Sequence, residues 1–169
     1  MATYEYEHVV GFEETSLVGN VYFTNYLLWQ GHCRELFLRD NAPEVLEMMA
    51  RREIMFFTHN CTCEYLGEWG FAPLDRVLVR MKLAKFRGGR LTLEFDYHNA
   101  DRAETLVAHG HQEIYCKAFR AGAWYPEPFP IPLIHALKQY AETDELQRSL
   151  QEALDHLEQR SQENRPTGT

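Results

Sequence analysis

The chain is short of cysteine, and this shortage argues against two classes of protein. Its 169 residues include four cysteines, Cys33, Cys61, Cys63 and Cys116. They are too few and too irregularly spaced for a disulfide framework, and the single C-x-C pair has no second pair with which to build a zinc site. We therefore expect buried, reduced thiols and no bound metal.

Positive charge and long apolar runs are also scarce. Lys and Arg number 17 against 25 Asp and Glu, for a net charge of −8, which argues against a general nucleic-acid binder because phosphates are bound by clustered cations. No apolar run approaches the roughly 18 residues of a membrane span. Residues 1–10 also lack the basic start and apolar middle of a signal peptide. We expect a cytoplasmic protein that binds neither nucleic acid nor a membrane.

Apolar residues, in contrast, are abundant enough for a folded domain. They make up 45% of the chain, and aromatic residues make up 13%, which argues against a disordered chain. A single domain of this length buries roughly 70% of its unfolded surface. The chain can therefore hold a core without disulfides or metal.

The first half of the chain changes its period of hydrophobicity. Residues 4–12 alternate and predict a half-buried strand, which a loop at residues 13–21 follows. Residues 22–39 change to a spacing near that of an α-helix and predict a long helix buried on most sides. Pro43 interrupts this helix, and residues 44–52 predict a second, short one.

Extended segments dominate the second half. Strands are predicted at residues 54–66, 76–86, 90–98 and 104–119. The Gly-Gly pair at residues 88–89 predicts a hairpin between the second and third of these strands. Residues 132–162 predict two helical pieces joined near Thr143, a good N-cap. We expect the leucine stripe of the second piece to pack on its own domain or on a sister subunit.

This order of elements predicts an α+β fold in which an antiparallel sheet wraps around one central helix. We place the domain at residues 1–142, a C-terminal helix at residues 143–160 and a disordered tail at residues 161–169. Such a small sheet leaves an apolar face or edge uncovered. We therefore expect a homodimer, with a tetramer as the next larger assembly.

A resemblance to a known family begins in the loop before the central helix. Residues 13–26, with the sequence EETSLVGNVYFTNY, and the Leu-Leu-Trp after them resemble the signature of hot-dog-fold acyl thioesterases of the 4-hydroxybenzoyl-CoA type. That signature reads roughly D-x-x-G-(H or x)-V-x-x-x-x-Y-x-x-W. The resemblance covers residues 4–120 and implies the hot-dog fold.

The chain departs from this signature at two positions. Ser16 stands where most relatives place their catalytic Asp, and Asn20 stands where a His usually follows the Gly. Residues 14–38 look most like the thioesterases of enediyne polyketide biosynthesis, a branch that dispenses with the acidic residue. The resemblance implies hydrolysis of a β-ketoacyl thioester with a conjugated polyene chain, released from the acyl carrier domain of an iterative synthase. Loss of carbon dioxide can follow. No cofactor is implied beyond the carrier's phosphopantetheine.

Asn20, Arg34 and Tyr26 are the predicted catalytic residues. Thiolate leaves readily, so stabilising the oxyanion can be the main contribution, and one donor is worth about 3–4 kcal/mol. Asn20 offers amide donors beside a helix N-terminus. Arg34 lies two turns after Tyr26 on the same helix face, and it can bind the oxyanion or the substrate's β-keto and carboxylate oxygens. Tyr26 can bond a carbonyl or orient Asn20.

Each of these residues also has an ordinary structural alternative. Asn20 tolerates the left-handed backbone conformation that can follow Gly19, and Tyr26 can be a core residue. Arg34 can instead form a salt bridge with a carboxylate. The carboxylates in question are Glu35, Asp40 and any supplied by a partner subunit.

Further residues are predicted to bind substrate or to act as a base. The predicted substrate-binding residues are Thr62, Gly19 and Tyr65. Thr58 shares a strand face with Thr62, from which both can line an acyl tunnel or simply be half buried. Glu14 is the candidate base because it flanks the vacant Asp position together with Glu13; adjacent glutamates on a loop are otherwise usually solvated. Aromatic residues can floor a pocket for a flat polyene, at Phe56, Phe57, Tyr65, Trp69, Phe71 and Tyr97.

Two local patterns complete the sequence-based predictions. His109 and His111 share a strand face without an acidic cluster, so we assign them neither a metal nor a triad. Residues 76–90 carry six cations and no acid. A basic strand edge would steer an acidic carrier domain and its phosphate-bearing arm to the protein. The alternative is a solvated strand face whose lysines guard an edge.

Two other functions fit the same sequence. An acyl-CoA thioesterase or a dehydratase would share the fold, because a fold does not fix a function. The vacancy at Ser16 also permits a non-catalytic acyl-binding subunit of the synthase.

Overall fold

The computed structural model describes residues 3–67, 70–87, 89–102 and 105–163. These residues form one six-stranded antiparallel sheet. In chain order the strands are β1 (Tyr4–Val9), β2 (Ile54–Tyr65), β3 (Arg76–Arg87), β4 (Arg90–Asn99), β5 (Thr105–Arg120) and β6 (Ala123–Glu127). The helices are α1 (Thr24–Asn41), α2 (Pro43–Ala50), α3 (Ile131–Lys138) and α4 (Asp144–Glu163), with a short 3-10 helix at Phe12–Glu14. The predicted α+β class is confirmed.

The order of strands in the sheet is β1-β3-β4-β5-β2, and β6 pairs with β5 beyond the start of β4. β1 and β2 are therefore the edges of this order. The predicted hairpin is confirmed, because β3 and β4 pair up to Arg87 and Arg90. The sequence pattern does not predict β6, whose proline cannot donate to a ladder. It forms because Ala121 and Gly122 have φ of 48° and 81°, which turns the chain back onto β5.

Helix α1 lies against the inner face of this sheet. It is buried on that one face only, so the prediction of a helix buried on most sides is wrong: Leu28, His32, Glu35 and Arg39 form an exposed face. Its buried residues are Tyr26, Trp29, Gln30, Cys33, Phe37 and Leu38. Alternate residues of the central strands are buried in the same core, among them Val77, Val79, Met81, Leu93, Phe95 and Ile114. Pro43 ends α1 and begins α2, because its missing N–H is tolerated only in the first turn of a helix.

The C-terminal helix packs on its own chain. Leu146, Leu150 and Leu154 of α4 are buried, and α4 contacts α3 and β3. Thr143 caps α4 as predicted, since its Oγ1 accepts a hydrogen bond from Leu146 N at 3.2 Å. Within the described ranges, no helix is long and apolar enough to cross a membrane.

Two predictions fall partly or wholly outside the described residues. Helix α4 continues to Glu163, so the disorder predicted from residue 161 is wrong for residues 161–163, and residues 164–169 lie outside the description. Trp69, predicted to floor a pocket, and Gly88, half of the predicted Gly-Gly turn, lie outside it as well.

The predicted basic strand edge is wrong, because β3 lies between β1 and β4. Neighbouring carboxylates also pair with most of its cations. The ion pairs are Arg76 with Asp101, Arg80 with Glu5, Lys82 with Asp96, and Arg90 with Glu113. Of the six cations, only Lys85 and Arg87, beside the hairpin turn, pair with no carboxylate of the described chain. The sequence cannot show this, since the pairing acids lie on other elements.

Candidate functional site

The loop that carries Asn20 is closed on itself just before α1. Thr15 and Val21 form an isolated antiparallel bridge. Inside it, Ser16 N donates to Asn20 O at 2.8 Å and Gly19 N donates to Ser16 O at 2.9 Å. Gly19 has φ of 76°, a conformation that glycine adopts at no steric cost. Gly19 therefore shapes the loop through its backbone and has no side chain with which to bind substrate.

Asn20 and Tyr26 come together at Gly70. A β-carbon built on Gly70 would lie 2.7 Å from Tyr26 Oη and 2.8 Å from Asn20 Oδ1, so the two polar groups flank the same point of the backbone and leave no room for a side chain there. The side-chain amide of Asn20 makes no hydrogen bond within the described chain. Its donors are thus free for a ligand, as an oxyanion role requires.

Tyr26 stands in a cluster of aromatic rings. Its ring centroid lies 5.2 Å from Trp29, 5.0 Å from Tyr65, 5.8 Å from Phe71 and 5.3 Å from Tyr97. Burial raises the pKa of the Tyr26 phenol, and the neighbouring Cys63 and Tyr65 raise it further. The hydroxyl is therefore a neutral donor at ordinary pH.

Tyr65 closes this cluster from β2. Its hydroxyl donates to Phe23 O at 2.8 Å, and burial followed by the nearby Cys63 raises the pKa of Tyr65 to about 12. Three of the aromatic residues predicted for a pocket floor, Tyr65, Phe71 and Tyr97, lie beside Tyr26. Phe56 and Phe57 pack elsewhere, against Phe129 and Tyr115.

A row of polar groups continues from Tyr26 along α1. Gln30, one turn on, is fully buried; its Nε2 donates to Thr62 O at 2.9 Å and its Oε1 accepts from Cys61 Sγ at 3.1 Å. Sequence reasoning missed Gln30, although an amide four residues after Tyr26 on an apolar helix is a readable signal. These hydrogen bonds join α1 directly to β2.

Arg34 follows another turn along. Its guanidinium donates to Gln112 Oε1 at 2.9 Å and to Thr58 Oγ1 at 3.4 Å. No carboxylate of the described chain pairs with it: the nearby Asp40 instead bonds Arg39 and Tyr4. Burial lowers the pKa of Arg34, and Glu35 and Cys61 act in the opposite direction. This cation is therefore held by neutral partners and can still receive an anionic one.

Comparison with known proteins shows the family to which the chain belongs. A model of the thioesterase-like superfamily matches residues 10–154. The chain belongs to the thioesterase-like superfamily. It is a thioester hydrolase with the hot-dog fold, as the resemblance implied.

Solved structures of thioesterases resemble this thioesterase-like chain over most of its length. The dynemicin thioesterase, whose crystal structures revealed induced-fit and allosteric effects of polyene binding, is 40% identical with a TM-score of 0.79, over 84% of this chain and 99% of that one. A 1,4-dihydroxy-2-naphthoyl-CoA thioesterase from Synechocystis is 19% identical with a TM-score of 0.70, over 80% and 96%. A 4-hydroxybenzoyl-CoA thioesterase variant is 12% identical with a TM-score of 0.68, over 82% and 99%. Among curated proteins, none matches.

The prediction that Thr58 and Thr62 share a strand face is wrong. Strand β2 shifts register between Thr58 and Asn60, and one extra residue turns every later side chain to the other face. Thr58 lies opposite the inward-facing Ile114, whereas Thr62 lies opposite His111 on the outer face. Thr62 therefore presents its carbonyl to Gln30, and its side chain does not line the space beside α1.

Glu14 is bonded at both carboxylate oxygens. One accepts from Gly11 N at 2.8 Å and lies 2.7 Å from His8 Nε2; the other accepts from Trp29 Nε1 at 2.9 Å. Burial by itself raises the pKa of Glu14, but the hydrogen bonds from His8, Gly11 and Trp29 outweigh it and hold the pKa below its usual range. Glu13, in contrast, is exposed. The carboxylate named as a base is thus engaged within its own chain.

The outer face of the sheet holds a separate polar group. His109 and His111 share this face as predicted, but His109 does have an acidic partner, since its Nδ1 lies 2.7 Å from Asp96, which also pairs with Lys82. Within the described ranges, no three His, Cys, Asp or Glu residues are placed to hold a metal ion. All four cysteines are free.

Proposed function

We propose that the chain hydrolyses a β-ketoacyl thioester with a conjugated polyene chain, carried on the acyl carrier domain of an iterative enediyne polyketide synthase. One observation carries this proposal: the chain is 40% identical to the dynemicin thioesterase, over 99% of that protein. The polyene bound by that enzyme is a flat chain, which suits the aromatic cluster around Tyr26. Loss of carbon dioxide from the released β-keto acid, to give a methyl ketone, belongs to the same proposal.

In the proposed reaction the thioester carbonyl lies at the junction of Asn20, Tyr26 and Gly70. Water adds to this carbonyl, and the free amide donors of Asn20 hold the oxyanion that forms. The C–S bond then breaks, the thiolate leaves and takes up a proton, and the acid is released. No carboxylate base is needed, because a thiolate is a good leaving group; Ser16 can therefore occupy the position of the usual Asp.

Arg34 does not share a single oxyanion site with Asn20. Eight residues of helix separate its α-carbon from that of Tyr26, a rise of about 12 Å. Helical side chains lean toward the N-terminus, so the long arginine reaches back along α1 toward Tyr26. We assign Arg34 to the β-keto oxygen of the acyl part, which lies beyond the thioester carbonyl.

The proposed partner is the carrier domain, and the only prosthetic group is its phosphopantetheine. Lys85 and Arg87 support this choice, since they pair with no carboxylate of the described chain while their neighbours on β3 are paired. Two free cations beside one hairpin turn can receive a phosphate even in a chain of net charge −8. The four free thiols suit a reducing compartment, so the proposed location is the cytoplasm.

We also propose that the protein acts as a homodimer, which can pair further into a tetramer. Strand β2 is a long sheet edge with mostly exposed side chains, and such an edge is a template for pairing with another chain. At the tip of the Asn20 loop, Leu17 and Val18 are 108% and 87% exposed. Two adjacent apolar side chains so exposed are expected to be covered by a second copy.

The test is release of product from a loaded carrier. The protein is incubated with an acyl carrier domain bearing a β-ketoacyl polyene, and free acid and methyl ketone are measured by mass spectrometry. Asn20→Ala should lower kcat by about 100-fold, the cost of removing one oxyanion donor. Gln139→Ala, which removes an exposed amide after α3, is the control and should leave kcat unchanged.

The other outcomes separate the alternatives. Release from acyl-CoA but not from the carrier would make the chain a CoA thioesterase and contradict the carrier assignment. No release above background from either would leave only an acyl-binding role. Unchanged turnover in Asn20→Ala would contradict the oxyanion role.

A further inference from the structure

Glu14 joins three separate parts of the fold with one side chain. Through His8 it reaches β1, through Gly11 N it reaches the start of its own loop, and through Trp29 Nε1 it reaches α1. The side chain is only 12% exposed. A hydrogen bond to an ionised group is worth more than a neutral one, so this carboxylate holds the three parts firmly.

The backbone carbonyl of Glu14 also ties down the loop that carries Asn20. Its carbonyl accepts hydrogen bonds from Tyr22 N and from Asn25 Nδ2, both at 2.8 Å. Asn25 belongs to the first turn of α1. Both ends of the loop are thereby tied to one residue, and the start of α1 is tied to the same point.

Trp29 connects Glu14 to the proposed site at Asn20 and Tyr26. Its indole packs against the rings of Tyr26 and Phe71, with centroids 5.2 Å and 5.8 Å away. Phe71 O accepts a hydrogen bond from Val21 N at 2.9 Å, next to Asn20, and Phe71 directly follows Gly70, against which Asn20 and Tyr26 meet. The indole that Glu14 bonds therefore packs directly against Tyr26 and against Phe71, the residue next to Gly70.

We propose that Glu14 is a positioning residue, which sets Asn20 and Tyr26 in their reactive geometry by fixing the Asn20 loop and the indole of Trp29. It is not the base that replaces the missing Asp, because both of its oxygens are already bonded to groups of its own chain. The inference rests on the proposed function, since it acts through Asn20 and Tyr26. Displacing reacting groups by about 1 Å can cost roughly 100-fold in rate.

The experiment compares two substitutions in the carrier assay. Glu14→Ala removes all the side-chain contacts and should lower kcat by about 10- to 100-fold while KM changes by less than about threefold, because the effect falls on geometry during reaction. Glu14→Gln keeps a carbonyl oxygen for Trp29 Nε1 and should recover most of the lost rate. A base would behave differently: Gln would be as inactive as Ala, and the acid limb of the kcat–pH profile would disappear.

Asp40→Ala is the matched control. Asp40 also ties β1 to α1, by accepting from Tyr4 Oη at 2.6 Å, but at the far end of the helix from Asn20. Its loss should loosen the same two elements and leave kcat unchanged. A loss of kcat in Asp40→Ala equal to that in Glu14→Ala would reduce Glu14 to a general stabiliser and overturn the proposal.

Trp29→Phe tests the link through Trp29, in a double variant with Glu14→Ala or by itself if Glu14→Ala folds poorly. Trp29→Phe keeps a ring but removes the indole N–H, so it cuts the same hydrogen bond as a change at Glu14. The effects of Glu14→Ala and Trp29→Phe on kcat should therefore not add in the double variant. Where Glu14→Ala folds poorly, Trp29→Phe alone should lower kcat, and an unchanged kcat would overturn the proposal. Full additivity would overturn the proposal.

Asn20→Ala in the same assay separates the two levels of inference. If Asn20→Ala is impaired while both Glu14 variants match the unmodified chain, the positioning role alone fails. If Asn20→Ala is fully active, the proposed function fails first.

Discussion

Arg34 is a half-buried cation whose side-chain hydrogen bonds go to neutral partners. Because Gln112 and Thr58 bind the guanidinium in fixed directions, a lysine at this position keeps the charge but loses the planar fork. We expect Arg34→Lys to lower kcat/KM about tenfold or more, as the loss of one hydrogen bond to a charged group predicts. Steady-state kinetics with the loaded carrier measure this.

Arg39 offers the control for Arg34 on the same helix. It is exposed and pairs with Asp40 at 2.6 Å, so Arg39→Lys should leave kcat/KM within about twofold, as expected of surface ion pairs. If Arg34→Lys also retained its rate, the charge alone would suffice and the fork geometry would have no role in binding substrate.

At the scale of single residues, the sequence predicts which polar residues matter more reliably than it predicts the groups they hydrogen-bond. Asn20 and Tyr26 are predicted together and meet at Gly70, because one short loop and one helix turn fix their separation. Gln112, the partner of Arg34, is 78 residues away from it, and no local pattern reports such a contact. The side-chain partners of Glu14 include His8 on β1 and Trp29 on α1, and the sequence does not show that its carboxylate is engaged by them.

A side chain of helix α1 packs directly on the backbone of strand β5 at Gly110. A β-carbon there would overlap Gln30 Nε2 and lie 3.2 Å from the ring of Tyr97, and Gln30 cannot retreat because Thr62 O and Cys61 Sγ hold it. We expect Gly110→Ala to lower the free energy of unfolding by about 1–3 kcal/mol, the usual cost of overpacking a core. Denaturant-induced unfolding measures this change.

Gly31 is the matched control for Gly110 because it lies on α1 itself. Apart from its chain neighbours and the backbone of its own helix, no described atom lies within 4 Å of a β-carbon built there, and alanine favours a helix over glycine by about 1 kcal/mol. Gly31→Ala should therefore raise the free energy of unfolding. Equal destabilisation by both substitutions would mean that the contact at Gly110 is not what sets the distance between helix and sheet.

At the scale of elements, period and turn chemistry predict most of the fold. The hairpin of β3 and β4, the break at Pro43 and the cap at Thr143 follow from local residues. The register shift in β2 does not, because nothing between Thr58 and Asn60 signals an extra residue. That shift decides which side chains of β2 face α1, so the sequence misplaces Thr62.

For the whole molecule, net charge is a poor guide to where charge is available. Residues 76–90 are wholly basic in sequence, yet folding brings carboxylates from β1, β4, β5 and residue 101 to most of their cations. What remains is a small basic site of Lys85 and Arg87. The proposed docking of a carrier would therefore use this one hairpin turn, which the sequence does not single out.

The last prediction concerns dimer formation. The Asn20 loop presents apolar side chains, Leu17 and Val18, that its own chain does not cover. We expect a mass of twice 19.9 kDa by sedimentation velocity. Leu17 is 108% exposed, so Leu17→Asp should leave the unfolding free energy of the single chain unchanged. It should weaken the dimer about tenfold or more, since a buried unpaired charge costs more than 1.4 kcal/mol.

Tyr125→Asp is the control, because Tyr125 is 49% exposed on β6, away from the loop, and should leave the mass unchanged. Leu17 is three residues before Asn20, so contact with a second copy would also hold the loop that carries this proposed oxyanion donor. At protein concentrations where Leu17→Asp is monomeric, kcat should therefore fall with the dimer fraction. A monomeric variant with full kcat would show that one chain orders its own site, and that Glu14 is sufficient to hold the loop.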